Sequence, residues 1–178
     1  PDWIKNAVVY QVFPDRFRDG DITNNKPAGT FFYGDTGGSV YRSLTEDWNE
    51  EICDPRGLDA CAGTYSKNFY GGDLQGLINK LGYLQALGVN TIYLNPIFES
   101  PSNHGYDTTD YMSLNPMFGD QTIFNNLVFE INNRNMHLIL DGVFNHVSSD
   151  SIYFDRYGRY DEVGAFESNA SPYRSWFY

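Results

Sequence analysis

Basic residues are scarce in this chain: 12 Lys and Arg stand against 23 Asp and Glu, a formal charge of −11 over 178 residues. Nucleic acids and anionic membrane surfaces are held by cationic patches that displace counterions from phosphates, so the charge balance argues against both partners. No run approaches the roughly 20 apolar residues of a membrane-spanning helix. No Gly-x-Gly-x-x-Gly follows the first apolar run, which removes the main support for a dinucleotide site. Cysteine is limited to Cys53 and Cys61. A disulfide between them would imply an oxidising compartment, and two free thiols fit the spacing equally well. The chain opens at Pro1 without Met or a signal peptide, which leads to the expectation that an N-terminal segment was removed or left out.

What is abundant is aromatic: 14 Tyr, 13 Phe and 3 Trp, or 17% of the chain. Flat rings suit sugar faces and fill cores equally readily, so composition leaves both uses open. With 41% hydrophobic and 20% charged residues the chain is no candidate for disorder. At this length folding buries about 70% of the unfolded surface.

The run Ala7 to Phe13, β-branched and aromatic and closed by Pro14, reads as a buried strand. Residues 19–72 form a long polar excursion without sustained period. Asp73 is a good N-cap, and Leu74, Leu77, Ile78, Leu81, Leu84 and Leu87 share one helical face ahead of Gly88. Val89 to Leu94 reads as a second strand, and Glu99 to Asn115 as a polar loop. A second helix starts at Gly119-Asp120 with the stripe Phe124, Leu127, Val128 and Ile131, and Met136 to Phe144 reads as a third strand. Strand, helix, strand, helix, strand is the order of a parallel sheet with right-handed crossovers. Both an open doubly wound sheet and an eight-stranded barrel begin this way, and both carry their sites at strand C-terminal ends. Those ends hold Asp15-Arg16, the segment Asn95 to Tyr111, and Asn145-His146. A barrel takes about 250 residues, so the chain reads as the front part of a larger domain.

The sharpest local feature is Asp141-Gly142-Val143-Phe144-Asn145-His146, where strand alternation would put Asp141, Val143 and Asn145 on one side. Alone it could be a capping Asp and a satisfied His. It comes last in an ordered series: Val9 to Phe17, then Gly71-Gly72-Asp73-Leu74-Gln75-Gly76, Asn95-Pro96-Ile97-Phe98, and His104-Gly105-Tyr106-Asp107. This series resembles the alpha-amylase family of glycoside hydrolases, family 13, from Val8 to about Phe177. The stretch Asp141 to Tyr160 and the Ser171-Pro172-Tyr173 ending look most like its amylopullulanase and neopullulanase branch.

The resemblance implies an α/β fold, the first three βα units of a (β/α)8 TIM barrel over residues 1–146, with 147–178 the start of an inserted domain. It implies that His146 hydrogen-bonds the sugar next to the scissile bond, that Tyr106 is the aromatic platform beneath it, and that Asp141 holds an arginine near the nucleophile. Asp107 is implied as a support or subsite contact; His104, from its place beside Tyr106, reads either as a substrate contact or as a residue without a role in the site. Retaining chemistry needs two carboxylates about 5–5.5 Å apart. In the family they lie on the fourth and fifth strands, so the nucleophile and acid/base are expected after Tyr178 and Asp141 is not promoted to fill their place.

A second constellation offers oxygen donors: Asp19, Asp21, Asn24, Asn25, Gly71 and Asp73. Hard oxygens around a glycine turn suit Ca²⁺, which takes six to eight of them, and a solvated Asx-rich turn is the alternative. These residues match a calcium loop of cyclodextrin-forming and neopullulanase-like family members, which implies calcium. Asn145 matches a ligand of a different calcium in many amylases, a weaker expectation because its partners lie elsewhere. His137 reads as a packing residue. Tyr153, Phe154, Tyr157, Tyr160, Tyr173, Trp176 and Phe177 read as packing the inserted segment.

The expectation is therefore part of a retaining hydrolase of α-1,4 and α-1,6 glucosidic bonds in starch- or pullulan-type glucans. Its partners would be an α-glucan and the remainder of the catalytic domain, with no nucleic acid and no membrane, and its location extracellular. The rivals are a non-catalytic calcium- and glucan-binding module, and an α-glucosidase or transglycosidase of the same family.

Overall fold

The structure, a computed structural model, describes residues 1–25, 43–44, 49 and 68–178. Cys53, Cys61 and most of the first polar excursion lie outside the described residues. Strands β1 (Val9–Val12), β2 (Ser43–Leu44) and β3 (Asn68–Phe69) precede helix α1 (Leu74–Ala86). Strands β4 (Thr91–Leu94), β5 (Phe98–Glu99) and β6 (Asp110–Leu114), helix α2 (Gln121–Asn133) and strand β7 (His137–Leu140) follow. β1, β4 and β7 form a parallel sheet in the order β1-β4-β7, with Val12 opposite Leu94 and Leu94 opposite Leu140.

Both helices begin where a carboxylate can accept an orphan N–H. Asp73 Oδ1 accepts from Gly76 N at 2.6 Å, and Asp120 Oδ1 from Ile123 N at 2.9 Å. Leu74, Leu77, Leu81 and Leu84 of α1 and Leu127 and Ile131 of α2 are buried against Val12, Ile92, Leu94 and Phe118. Each such side chain contributes about 1.5–3 kcal/mol by leaving water. Leu87 departs from the expected stripe: it caps α1 and is exposed, and Val89 beyond the turn takes the burial instead.

Three further differences from the sequence reading have local causes. The third strand stops at Leu140, because its last ladder bond runs from Asp141 N to Leu94 O and β4 leaves the sheet at Asn95-Pro96. A tight turn with Phe144 N bonded to Gly142 O follows, so Val143 is buried while Asn145 is exposed and the expected alternation through Asn145 is lost. The Glu99 to Asn115 loop contains an antiparallel pairing, β5 with β6. Of the three expected βα units, two have their helix; β7 is followed by turns and a 3-10 turn at Arg174–Trp176.

Residues 147–178 are held by aromatic contacts and an ion pair between buried Asp150 and half-exposed Arg159. Tyr153 meets Tyr173 at 5.3 Å and Trp176 at 5.4 Å, and Phe154 meets Phe177 at 5.1 Å, as expected for packing. His137 stacks on Trp3 at 4.2 Å, a packing role. Asp150 is 2% exposed and its Oδ2 pairs with Arg159. Burial pushes the Asp150 carboxyl up to about 6, against the opposing pull of Arg159 and with the repulsion of Asp155 and Asp107 adding to it.

A carboxyl that binds its proton more tightly folded than unfolded stabilises the fold at low pH and loses that contribution as pH rises from 3.8 through about 6. Asp150→Asn, which cannot ionise, should therefore gain stability relative to the natural chain across that window, read by urea unfolding at pH 4 and pH 7. Arg159→Met should cost about 2 kcal/mol at pH 7 by stranding the buried charge, and less at pH 4.

Candidate active site and cation loop

At the C-terminal ends of the parallel strands the polar side chains converge. The Tyr106 hydroxyl donates to Asp141 Oδ2 at 2.7 Å, and His146 Nε2 lies 2.9 Å from the Tyr106 carbonyl oxygen. Three residues from two loops, one joining β5 to β6 and one following β7, thus form one cluster. Gly105 makes the approach possible: its φ is +74°, and a Cβ there would fall 2.5 Å from Pro96 O. His104 sits beside this turn, its Nδ1 accepting the Tyr106 N–H at 3.1 Å and lying 3.1 Å from Ser102 Oγ. Ser102 Oγ donates to Asp107 Oδ1, so Asp107 supports the turn. Burial first, and then the bond to Asp141, push the Tyr106 hydroxyl up to about 12, which keeps it a donor at neutral pH.

Two residues not singled out from the sequence belong here. Burial first, and then the neighbouring Asp141 carboxylate, raise the hydroxyl of Tyr93 of β4 above the ordinary tyrosine value. Tyr111 of β6 donates to the Val143 carbonyl and to the His146 carbonyl at 2.6 Å, fixing the backbone that carries His146. Tyr93 could have been found from its place one residue before the end of a buried strand. Tyr111 could not, because its segment reads as loop. Asn145 is exposed, with its amide 3.5 Å from His146 Nδ1, and no trio of His, Cys, Asp or Glu able to hold a metal occurs among the described residues.

The other predicted residues gather between β1 and α1. Asp73 accepts N–H bonds from Gly20 at 3.2 Å, Asp21 at 2.8 Å and the Asn24 amide at 3.1 Å, besides capping α1. Asn25 donates to Asp19 Oδ2 at 2.7 Å, and Asn25 Oδ1 lies so near Gly71 that a Cβ there, at φ +78°, would come within 2.5 Å of it. Asp21 Oδ1 accepts from the Thr23 hydroxyl at 2.6 Å and the Thr23 N–H at 3.0 Å, which lowers its pKa, and its own N–H donates to Asp73. Three buried oxygens, Asp19 Oδ1, Asn24 Oδ1 and Asn25 Oδ1, accept no hydrogen bond. Buried acceptors are rarely left so, and a cluster of them asks for a positive ligand.

The alpha amylase catalytic-domain model matches residues 11–178. The chain belongs to the alpha-amylase family. Amylopullulanase of Thermoanaerobacterium saccharolyticum is 46% identical over 186 aligned positions, which cover 99% of this chain and 14% of that protein. Neopullulanase 2 of Thermoactinomyces vulgaris is 39% identical over 178 positions, 100% of this chain and 25% of that protein. Among solved structures, the type III pullulan hydrolase from Thermococcus kodakarensis superposes with a TM-score of 0.82 at 34% identity, over 99% of this chain and 28% of that one. The chain thus spans between 14% and 28% of the length of these three relatives.

Within this family segment, Tyr111→Phe should strand two carbonyl oxygens beside His146. Denaturant unfolding should show a loss of about 1 kcal/mol. A value near zero would mean that the hydroxyl does not hold the His146 backbone.

Proposed function

We propose that this chain is the front part of the catalytic domain of a retaining glycoside hydrolase that cleaves α-1,4 and α-1,6 glucosidic bonds in starch- or pullulan-type glucans. The observation that carries the reading is the Tyr106–Asp141–His146 cluster at the strand C-terminal ends of an alpha-amylase family chain. The ring of Tyr106 offers a sugar a flat apolar face that excludes water, and its hydroxyl is occupied by Asp141, so the ring is held in place. His146 stands at the same rim, its Nε2–H donating to the Tyr106 carbonyl, and a sugar hydroxyl entering the cluster would take over that donor and be positioned by it. Asp141, already accepting from Tyr106, is a charge that holds neighbours, and the nucleophile and acid/base are assigned to residues beyond Tyr178.

Residues 1–146 are assigned to the barrel and 147–178 to the inserted domain. In support, β1 and β7 each pair only with β4 among the described residues, and Val9, Tyr10 and Leu140 are exposed. Parallel sheets of this kind are covered on both faces, so further strands of the same domain are the fitting neighbours. An extracellular location accords with polymeric substrates and the acidic surface.

Calcium is proposed as the cation of the 19–25 loop. The donor set fits: three buried, unbonded oxygens from Asp19, Asn24 and Asn25, with Gly71 held against Asn25. Asp19, Asn24, Asn25 and the Gly71 carbonyl would hold the ion, with Asp73 and Asp21 anchoring the loop; bound there, the ion supplies charge neutralisation and rigidity.

The full-length protein should release reducing sugar from pullulan or soluble starch, and His146→Ala should lower kcat/KM by about 10²–10³-fold. Full activity in that variant would sink the assigned role, and binding of maltooligosaccharides without turnover by the full-length natural protein would favour a non-catalytic module. Chelation should lower the melting temperature, and added Ca²⁺ should restore it in proportion to the logarithm of its concentration.

A further inference from the structure

Asp15 is a carboxylate with no solvent exposure, immediately after β1, and the cluster of sugar-facing groups does not use it. Its partners are three consecutive peptide N–H groups on the far side of the first excursion. The carboxylate accepts from Tyr70 N at 3.0 Å and Gly71 N at 3.2 Å, and the Asp15 main-chain oxygen accepts from Gly72 N at 3.0 Å. In a trans peptide the N–H and C=O point in opposite directions. The bond from Gly72 N to Asp15 O therefore turns the Gly71 carbonyl away from Asp15. The bonds to Tyr70 and Gly71 fix the preceding two peptide planes.

Arg16 completes the hold. Its Nε lies 2.9 Å from Asp15 Oδ2, its Nη2 donates to Asn68 O at 2.8 Å, and its guanidinium sits 4.2 Å from the Tyr70 ring centre. Close packing leaves the strap little room to slide, since a Cβ on Gly72 would fall 2.0 Å from Pro14 O.

We propose that Asp15 and Arg16 are positioning residues for the cation loop, a clasp that sets the direction of the Gly71 carbonyl and so the affinity of the site for calcium. This rests on the calcium reading above. Neither residue supplies a ligand. Asp15→Asn removes the charge that pairs with Arg16 and turns the two N–H bonds accepted by Oδ1 from charge-assisted into neutral ones, while leaving side-chain volume nearly unchanged.

The experiment is a Ca²⁺ titration, with Tb³⁺ luminescence as a second probe, on metal-stripped full-length protein and its Asp15→Asn variant. The expected result is a Kd raised at least about tenfold in the variant, the equivalent of one lost charge-assisted bond. The gap in melting temperature between chelated and calcium-saturated protein should shrink accordingly, whereas a merely structural role would lower both melting temperatures together and leave the gap. A folded variant with Kd within about twofold of the natural protein overturns the proposal. Should Asp15→Asn not fold, Arg16→Lys, which keeps the charge but loses the fork to Asn68 O, should still raise Kd about threefold, and an unchanged Kd overturns it equally. A natural protein that binds neither ion removes the calcium reading itself and this inference with it.

Discussion

Strand β4 takes a parallel neighbour on each side, and the register of those two ladders sets the level at which everything else happens. Val12, Leu94 and Leu140 stand in one row. The residues that follow them therefore leave the sheet together: Asn95 N still bonds Val12 O at 3.0 Å, and Asp141 N still bonds Leu94 O at 3.1 Å. Gln11 reaches Asn95 across the same row at 2.7 Å. A parallel sheet delivers all its strand ends to one rim, whereas an antiparallel pairing would have sent Asp141 and Asn95 to opposite ends. The Tyr106–Asp141–His146 cluster exists because the ladder brings those loops within a hydrogen bond of one another.

The rim is assembled from long-range bonds between irregular segments, and this makes single side chains unusually consequential. Asn68 O accepts from both Arg16 and Asn103, the latter at 2.8 Å, and so ties the strap before α1 to the loop before Tyr106. Ser102, fully buried, meets His104 and Asp107. Such a loop has no helix or ladder to pair its polar groups, so buried Ser and Asn do that work. The 19–25 loop is the exception, because its amide nitrogens find carboxylates while three of its oxygens find no hydrogen-bond partner among the described residues.

The sheet and both helices were legible because their signals are local. Asp73 and Asp120 are caps readable three residues ahead of their N–H partners, and Leu74, Leu77, Leu81 and Leu84 repeat at helical spacing. The end of β7 was not legible. Nothing in Leu140-Asp141-Gly142-Val143 says that β4 will run out of partners at Asn95-Pro96, since that is a property of the neighbouring strand. The same limit hid β5 and β6, whose pairing spans a polar segment with no alternation, and Tyr111, whose partners lie 32 and 35 residues away. Asp15 was visible as a polar residue at a strand end, but its use depends on the fold bringing Tyr70 and Gly71 back to it across 55 and 56 residues.

Asp141 shows why position at a strand end does not by itself name a nucleophile. Its Oδ2 accepts from the Tyr106 hydroxyl. A carboxylate that takes a phenolic donor has a lone pair engaged in holding a ring, which suits it to serve as a fixed charge. A group of this kind fixes the orientation of the Tyr106 ring at the rim. The irregular segments at the rim thus hold one another through single side chains, and the bond between Asp141 and Tyr106 is the link that joins the loop after β7 to the loop between β5 and β6.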